Sequence, residues 1–363
     1  MPTLFESIRV GKMNLDNRII MAPMTRGRAD DAGVQPTYVA EYYRQRASAG
    51  LIITEATNIS PMAKGYVRTP GIYTAEQVES WRRVTDAVHS QGGKIFLQTF
   101  HTGRIALPDF LPGAARLVAP SAVKAKGQNY TDEGMKDFIT PREMKIDEVK
   151  HTVQDFAAAS RRAIEAGFDG VELHGANGYL VHQFLGTNTN LRTDQYGGSQ
   201  ENRARFLLEV LDAMSEAIGA EKVGVKLSPS VPFNDMQDED AEEFYPFIIR
   251  KLNERNLAYL HIGFEESPTN EINWHGKLRL LFRGVYFANG GFSRKTGEKL
   301  LADDNADALV YGKFFLANPD LPERFKRNAP LNQPDQSTFY TPGEKGYIDY
   351  PTFERASAEI ELR

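Results

Sequence analysis

Runs of β-branched and aromatic residues alternate along the chain with stretches in which apolar residues recur every three or four positions. The first pattern is typical of strands and the second of amphipathic helices. Several of the helical stretches end in glycine, as capped helices often do. Eight units of this kind follow one another, with strands predicted at residues 18–25, 51–57, 94–100, 170–176, 223–229, 258–264, 284–290 and 308–315.

The order of the units predicts a parallel sheet, because strands that are connected through helices run in the same direction. An open, doubly wound sheet and a closed (β/α)8 barrel share this local pattern. Eight units in one chain, without a break in composition, favour the closed barrel. We therefore predict an α/β fold in which residues 1–363 form a single (β/α)8 TIM barrel domain.

Two stretches depart from the alternation. A long segment that contains glycine and proline lies between Thr99 and Glu148, before the next predicted helix. Loops of this length are usually functional, so we expect a capping insertion after strand 3 that roofs the barrel mouth. The segment from Asn332 is rich in proline, tyrosine and glycine. We expect it to lie against the barrel as an ordered but irregular tail.

Composition narrows the class of protein. Apolar residues make up 41% of the chain and charged residues 25%, which allows a large buried core. The net charge of -5 disfavours nucleic acid as a partner. The absence of cysteine excludes disulfides, thiolate nucleophiles and cysteine-bound metals. No apolar run has the length of a membrane span or a signal peptide, so we expect a cytoplasmic protein. We expect it to be either a monomer or a homodimer.

The ends of the predicted strands carry most of the candidate chemistry, and parallel barrels form their active sites where the strands end. The clearest case is HGANGYLVHQFL at residues 174–185. His174, Asn177 and Tyr179 follow a buried strand there and are separated by glycines, which let a ligand approach closely. Two interpretations stay open from these residues alone. Either they form a binding site, or His174 is a core histidine, Asn177 caps a helix and Tyr179 packs beneath the loop.

The seventh and eighth predicted strands end in NGG (289–291) and YGK (311–313). Loops in these positions of a barrel often bind phosphate through glycine amides and a nearby cation, which favours a mononucleotide-like ligand. The chain has no GxGxxG sequence after a strand and no P-loop sequence. His101, His174 and His261 lack the spacing of metal-ligand pairs, so we predict no metal site.

Thr25, Gln98, the pattern His174-x-x-Asn177-x-Tyr179 and the YGK sequence together resemble the Old Yellow Enzyme family of FMN-containing ene reductases. The resemblance covers essentially the whole chain, including AEYYRQRASAGLIITEAT, NTNLRTDQYGGSQENRARFLLEV and GYIDYP. The bacterial branch with N-ethylmaleimide, nitrate-ester and morphinone reductases is the most similar. The resemblance implies FMN bound in a (β/α)8 barrel, with NADPH or NADH as a transient reductant.

The resemblance implies a cofactor site residue by residue. Thr25 would bond the O4 region of the flavin and Gln98 its pyrimidine edge. Lys226 would place a cation where negative charge develops as the ring is reduced, and a fixed cation stabilises such charge. The other implied contacts are Pro23, Met24 and Ala56 at the ring and Gly291, Gly312 and Lys313 at the phosphate.

The resemblance also implies a reaction. His174 and Asn177 would donate hydrogen bonds to the oxygen of an activated alkene, flavin N5 would deliver hydride, and Tyr179 would add the proton. The substrates would be α,β-unsaturated carbonyl, maleimide or nitro compounds. The cycle would be ping-pong, with the nicotinamide dinucleotide and the alkene using one pocket in turn. That pocket would be lined by Tyr66, Phe100 and Tyr340.

Three residues depart from the usual family pattern. Lys226 and Lys313 stand where arginine is usual, and Phe100 stands where many relatives have tryptophan. Lysine keeps the charge but lacks the bidentate geometry of arginine, so we expect looser phosphate binding or a shifted flavin potential. Phe100 is expected to enlarge the pocket. Two other functions are the alternatives: a metal-assisted hydrolase on the same barrel, and a non-catalytic barrel that binds an oxyanion over a flavin.

Overall fold

Eight parallel strands form the central barrel of the computed structural model, which describes residues 2–113, 115–264 and 272–354. Each strand pairs with its neighbours in the chain, and the pairing of the eighth with the first closes the barrel. The predicted closed barrel is therefore confirmed. Its strands are β1 (Ile19–Met21), β2 (Leu51–Ile53), β3 (Ile95–Phe100), β4 (Gly170–His174), β5 (Val223–Leu227), β6 (Tyr259–Gly263), β7 (Tyr286–Asn289) and β8 (Ala308–Tyr311).

Helices surround the barrel and bury their apolar faces against it. In the helix after β3, for example, Val149, Val153 and Phe156 recur at helical spacing and are all buried. The helices are α1 (Tyr38–Arg44), α2 (Ala75–His89), α3 (Ile146–Glu165), α4 (Leu180–Leu185), α5 (Gln200–Ile218), α6 (Ala241–Leu252), α7 (Trp274–Arg279), α8 (Arg294–Ala302), α9 (Lys313–Ala317) and α10 (Leu321–Arg327). None of the helices in the described ranges is long and apolar enough to cross a membrane.

The end of the barrel at which the strands begin is closed by a hairpin of Ile8–Val10 and Met13–Leu15. Val10 and Leu15 join an apolar cluster that includes alternate residues of the barrel strands, such as Phe287. The other strand residues belong to a larger cluster with the helices. Apolar side chains therefore fill the lower barrel interior, and a polar site forms at the opposite end, the mouth.

The insertion after β3 packs over the mouth, as predicted. It contains a hairpin of Gln128–Thr131 and Gly134–Asp137 and a short parallel pair of Val118–Ala119 with Arg142–Glu143. The Asn129 side-chain amide donates a hydrogen bond to the Gly65 carbonyl (2.7 Å). Apolar side chains of the insertion, Ile105, Ala125 and Phe138, pack with Tyr66 and Tyr179.

The tail after α10 lies against the barrel, also as predicted. Its Tyr347 ring stacks on Tyr42 of α1, with centroids 3.9 Å apart. The Arg28 guanidinium donates hydrogen bonds to main-chain carbonyls of the tail, including those of Thr338 (2.9 Å) and Phe339 (2.8 Å). These bonds order a segment that has little regular structure of its own.

The predicted strand boundaries need correction on the mouth side. β1 ends at Met21, and a loop follows it. β2 ends at Ile53, and Thr57–Asn58 then form a separate short strand that pairs in parallel with Thr99 and Phe100 of β3. The eighth predicted strand is wrong over its last residues, because Lys313 begins α9. Gly312 ends the strand with φ -98° and ψ -88°, and the following helix buries Phe315.

Candidate active site

His174 is the last residue of β4 and is almost completely buried at the mouth. The main-chain N–H of Ala176 donates to His174 Nδ1 (3.3 Å), so the proton of the neutral ring lies on Nε2. Burial lowers the pKa of His174 well below its usual value, and the nearby positive charge of Lys226 lowers it further. His174 is thus a neutral imidazole whose Nε2–H has no partner among the described residues.

Asn177 follows in a left-handed conformation (φ 56°), which asparagine tolerates better than most residues. Its main-chain N–H donates to Ser228 Oγ (2.8 Å) and its carbonyl accepts from Asn234 Nδ2 (2.8 Å). A Cβ on the next residue, Gly178, would lie 2.7 Å from Asn234 Cβ. The turn is therefore held through its main chain, and no described residue hydrogen-bonds the Asn177 side-chain amide.

Tyr179 stands at the start of α4, and its hydroxyl lies 3.1 Å from the hydroxyl of Tyr66. Burial raises the pKa of Tyr179 well above its usual value, and the neighbouring Tyr66 raises it further. Burial likewise raises the pKa of Tyr66 to about 12. Both phenols are therefore protonated at neutral pH and form one hydrogen-bonded pair.

Aromatic rings enclose this pair. The Tyr179 ring meets the His174 ring edge to face (4.8 Å between centroids, 86°) and the Phe100 ring in the same way (5.4 Å, 88°). We call His174, Asn177, Tyr179, Tyr66 and Phe100 the pocket wall. Phe100 is fully buried behind the other rings, whereas Tyr340 of the tail is 65% exposed at the outer edge. Tyr340 is still close enough to raise the pKa of Tyr66 and Tyr179.

A second group of polar side chains, the inner polar layer, consists of Gln98, Glu172, Lys226 and His261. Gln98 Nε2 donates to Glu172 Oε1 (2.7 Å), and His261 Nδ1 lies 2.9 Å from Glu172 Oε2. Burial lowers the pKa of Lys226, and the charge of Glu172 partly offsets that effect. Lys226 is buried, and no described carboxylate forms an ion pair with its ammonium.

The loop after β1 is anchored by a buried glutamate. Glu55 accepts hydrogen bonds from the main-chain N–H of Arg26 (3.1 Å) and from Gln35 Nε2 (2.8 Å), and burial raises the pKa of Glu55. Ala56, next to it, is also buried. The loop's main chain is thereby held, while no described residue hydrogen-bonds the Thr25 hydroxyl. The partly exposed residues of this loop include Pro23, Met24 and Thr25.

The ends of β7 and β8 contain the residues predicted to bind phosphate. Gly291 has φ 71°, a conformation that favours glycine. A Cβ on Gly312 would lie 3.5 Å from the Met24 sulfur, so the loops after β1 and β8 are in contact. Lys313 is exposed and forms no ion pair with a described residue.

These surroundings fit FMN. Lys226 and the unpartnered carbonyl oxygen of Gln98 match the polar pyrimidine edge of a flavin, and the free Thr25 hydroxyl can bond a ring carbonyl. Gly291 and Lys313 offer an exposed amide and a cation for a phosphate. In the part of the chain that the structure describes, no three histidine, aspartate or glutamate side chains are arranged to hold a metal ion.

The sequence analysis missed the residues that hold the turn at 174–179. His182 Nδ1 accepts from the Gly178 N–H (3.0 Å), and Gln183 Nε2 donates to the Gly178 carbonyl (2.7 Å). Asp238 lies beside His182, with 3.3 Å between Oδ2 and Nε2. Two buried polar side chains inside the apolar helix LVHQFL were the available signal. Similarly, Glu172 is the one charge within the buried strand GVELH.

Comparison with known proteins gives a match to the model of the NADH:flavin oxidoreductase / NADH oxidase family over residues 3–332. A rice (Oryza sativa subsp. japonica) 12-oxophytodienoate reductase 1 is 45% identical over 365 residues, which cover 98% of this chain and 94% of that protein. A probable flavin mononucleotide-dependent alkene reductase of Leishmania infantum is 46% identical over 356 residues, covering 96% and 97%.

Two solved structures are also similar over nearly their whole length. Morphinone reductase in complex with tetrahydroNAD superposes with a TM-score of 0.93 at 45% identity, covering 98% of this chain and 99% of that one. The Old Yellow Enzyme homologue from Zymomonas mobilis superposes with a TM-score of 0.94 at 40% identity, covering 96% and 99%.

Proposed function

The chain belongs to the NADH:flavin oxidoreductase / NADH oxidase family and is an NAD(P)H-dependent FMN oxidoreductase, and on this premise we propose that it reduces the C=C bond of activated alkenes. The similarity to an Old Yellow Enzyme homologue and to a probable alkene reductase supports this class of reaction. The proposed substrates are α,β-unsaturated carbonyl, maleimide and nitro compounds. Each turnover consumes one NAD(P)H and one proton for each alkene.

In this proposal, FMN is held by the residues that line the described loops and strand ends. Gln98 and Thr25 bond polar atoms of the ring, Lys226 stabilises negative charge on it, and Gly291 and Lys313 bind the phosphate. Ring contacts come from Pro23, Met24 and Ala56, and Gly312 lets the phosphate approach. The bound flavin supplies the two-electron chemistry by accepting hydride from NAD(P)H and donating it to the alkene.

The pocket wall supplies the remaining steps. His174 Nε2–H and the Asn177 side-chain amide donate to the carbonyl or nitro oxygen, which draws electrons from the double bond. The polarised β-carbon would then accept hydride, and the electron pair of the double bond would move towards the oxygen. Tyr179 then donates its proton to the α-carbon, which completes the saturated product. The resulting phenolate recovers a proton from solvent.

One observation carries this proposal: His174 Nε2–H and the Asn177 amide, two donors that no described residue accepts from, occupy the same turn as the protonated phenol of Tyr179. Two available donors and one acid are what oxygen polarisation and α-carbon protonation require. We further propose that nicotinamide uses the same pocket before the alkene, in a ping-pong cycle. The complex of morphinone reductase with tetrahydroNAD is in keeping with nicotinamide binding to this fold.

The test is an anaerobic titration of the purified yellow protein. NADPH or NADH should bleach the flavin, and cyclohexenone, N-ethylmaleimide or a nitroalkene should restore the colour with one equivalent of saturated product. Bleaching without recovery by any alkene would contradict alkene reduction. Failure to bleach with either nucleotide, in protein that binds an oxyanion such as a phenolate, would favour the non-catalytic barrel.

A further inference from the structure

Glu172 has no part in the proposed reaction, yet it places a charge at the centre of β4. The residue is 0% exposed, and Val171 and Leu173 on either side of it are buried apolar residues. A buried carboxylate is costly unless hydrogen bonds and opposite charge compensate it. The surroundings of Glu172 therefore indicate what the carboxylate does.

Both carboxylate oxygens of Glu172 have dedicated partners. Gln98 pairs with Glu172 in register across β3 and β4, and Gln98 Nε2 donates to Oε1 (2.7 Å). His261 Nδ1 is 2.9 Å from Oε2. A carboxylate can only accept hydrogen bonds, so Gln98 must turn its NH2 group towards Glu172. The Gln98 carbonyl oxygen then faces the other way, and no described residue donates to it.

Lys226 lies on the neighbouring strand β5, two residues beyond Gly224, which pairs in register with Glu172. Burial lowers the pKa of Lys226, and the charge of Glu172 partly offsets that effect. The third neighbour is Tyr259, whose pKa is raised well above its usual value, first by burial and then by Glu172. Tyr259 fits there because Gly224 has no side chain: a Cβ on Gly224 would lie 2.3 Å from the Tyr259 ring.

We propose that Glu172 is a positioning residue for cofactor recognition: its carboxylate fixes the Gln98 amide so that an acceptor faces the flavin N3–H. This inference rests on the proposed placement of FMN beside Gln98 and Lys226. Without Glu172, the Gln98 amide can take either of its two orientations. In one of them its NH2 group faces the flavin N3–H, and two donors cannot form a hydrogen bond.

Two substitutions separate the charge of the carboxylate from its reach towards Gln98. E172Q keeps the size of the side chain and removes its charge, whereas E172D keeps the charge but is too short to hold Gln98. We expect both variants to bind FMN about tenfold more weakly, as for loss of a charge-assisted hydrogen-bond network. E172Q should also shift the midpoint potential of the bound flavin to a more positive value, because a negative charge near the ring is gone. E172D should leave that potential close to that of the wild type.

A double-mutant cycle with Q98M shows whether Glu172 acts through Gln98. FMN affinity is measured by titrating FMN into apoprotein prepared from each holoenzyme, with thermal unfolding of the apoprotein as the stability control. If Glu172 orients Gln98, E172Q costs about tenfold in the wild-type background but less than about twofold in the Q98M background. A structural role predicts the same loss in both backgrounds.

The outcomes separate this inference from the placement of the cofactor. If Q98M binds FMN as tightly as the wild type, FMN does not contact Gln98. That result would contradict both the placement of FMN and the positioning role of Glu172. Weak binding by Q98M combined with an equal E172Q loss in both backgrounds would overturn only the positioning role. If E172Q does not fold, the cycle is run with E172D, for which an FMN affinity equal to that of the wild type would overturn the inference.

Discussion

The pocket wall and the inner polar layer lie at the same end of one barrel, and they differ in how their polar groups are held. The inner polar layer is built around a paired carboxylate and leaves the Gln98 carbonyl oxygen and the Lys226 ammonium for a ligand, whereas the pocket wall contains no carboxylate. In the inner polar layer, both oxygens of Glu172 already have partners, Gln98 and His261. In the pocket wall, the His174 Nε2–H and the Asn177 side-chain amide have no partner among the described residues, although their backbones are held firmly.

This difference indicates that the two groups of residues have different functions. Groups that are paired with one another shape the electrostatics of a site and hold its geometry. Groups that are left unpaired at the end of a rigid strand or turn are available to a ligand, at little cost in reorganisation. The inner polar layer is thus suited to cofactor orientation, and the pocket wall to substrate chemistry.

The largest predicted effect is that of removing the proposed proton donor, the Tyr179 hydroxyl. Tyr179→Phe keeps the ring contacts with His174 and Phe100 and removes only the hydroxyl. We expect reoxidation of the reduced enzyme by an alkene to slow by about 10²- to 10⁴-fold, the usual contribution of a general acid. Reduction of the flavin by NADPH should stay within about twofold. Stopped-flow absorbance measures both half-reactions.

Tyr66→Phe is the matched control, since it removes the other hydroxyl of the same pair. Its alkene step should slow much less than that of Tyr179→Phe. Equal losses in both half-reactions of Tyr179→Phe would instead indicate that Tyr179 supports the pocket as a whole, and the division between the pocket wall and the inner polar layer would not hold.

A smaller effect is expected from removing one oxygen donor. His174→Ala should weaken binding of a phenol inhibitor and raise the KM of an enone by about 10- to 100-fold, as for a lost hydrogen bond to a charged oxygen. FMN affinity should not change, because His174 belongs to the pocket wall. Spectral titration of the oxidised enzyme with a phenol tests this. A phenol affinity equal to that of the wild type would rule out the oxygen-binding role.

The smallest effect concerns the stability of the two regions in acid. Burial lowers the pKa of His174 and of His261, and Glu172 partly offsets the shift of His261. Below about pH 6.5, the unfolded chain therefore binds protons that the folded chain does not bind. The free energy of unfolding falls as the pH falls through that range. Each histidine contributes at most about 1.4 kcal/mol per pH unit.

Because no described carboxylate bonds His174, His174→Asn should reduce the loss of unfolding free energy in acid more than His261→Asn does. Urea unfolding between about pH 6.5 and about pH 5 measures this difference. A larger effect of His261→Asn would mean that the inner polar layer, rather than the pocket wall, holds the imidazole whose protonated form is more strongly destabilised.

The sequence was informative where structure is local. All eight barrel strands follow from runs of apolar residues, and the mouth side follows from where those runs end. Predictions were less accurate where a strand passes into a loop or helix. Lys313 begins a helix rather than ending a strand, because Gly312 breaks the strand and burial of Phe315 favours the helix.

The sequence by itself determined the order of strands and helices, the parallel sheet, and which polar residues stand at the strand ends, because these depend on local periodicity. Only the tertiary structure decided which of them meet. Glu172 and His261 are 89 positions apart, and Tyr66 and Tyr179 are 113 apart. Such pairs depend on strand register and on the loops over the mouth, which no local pattern specifies. For the same reason, the unpaired donors of His174 and Asn177 could be recognised only once every other contact in the turn was known.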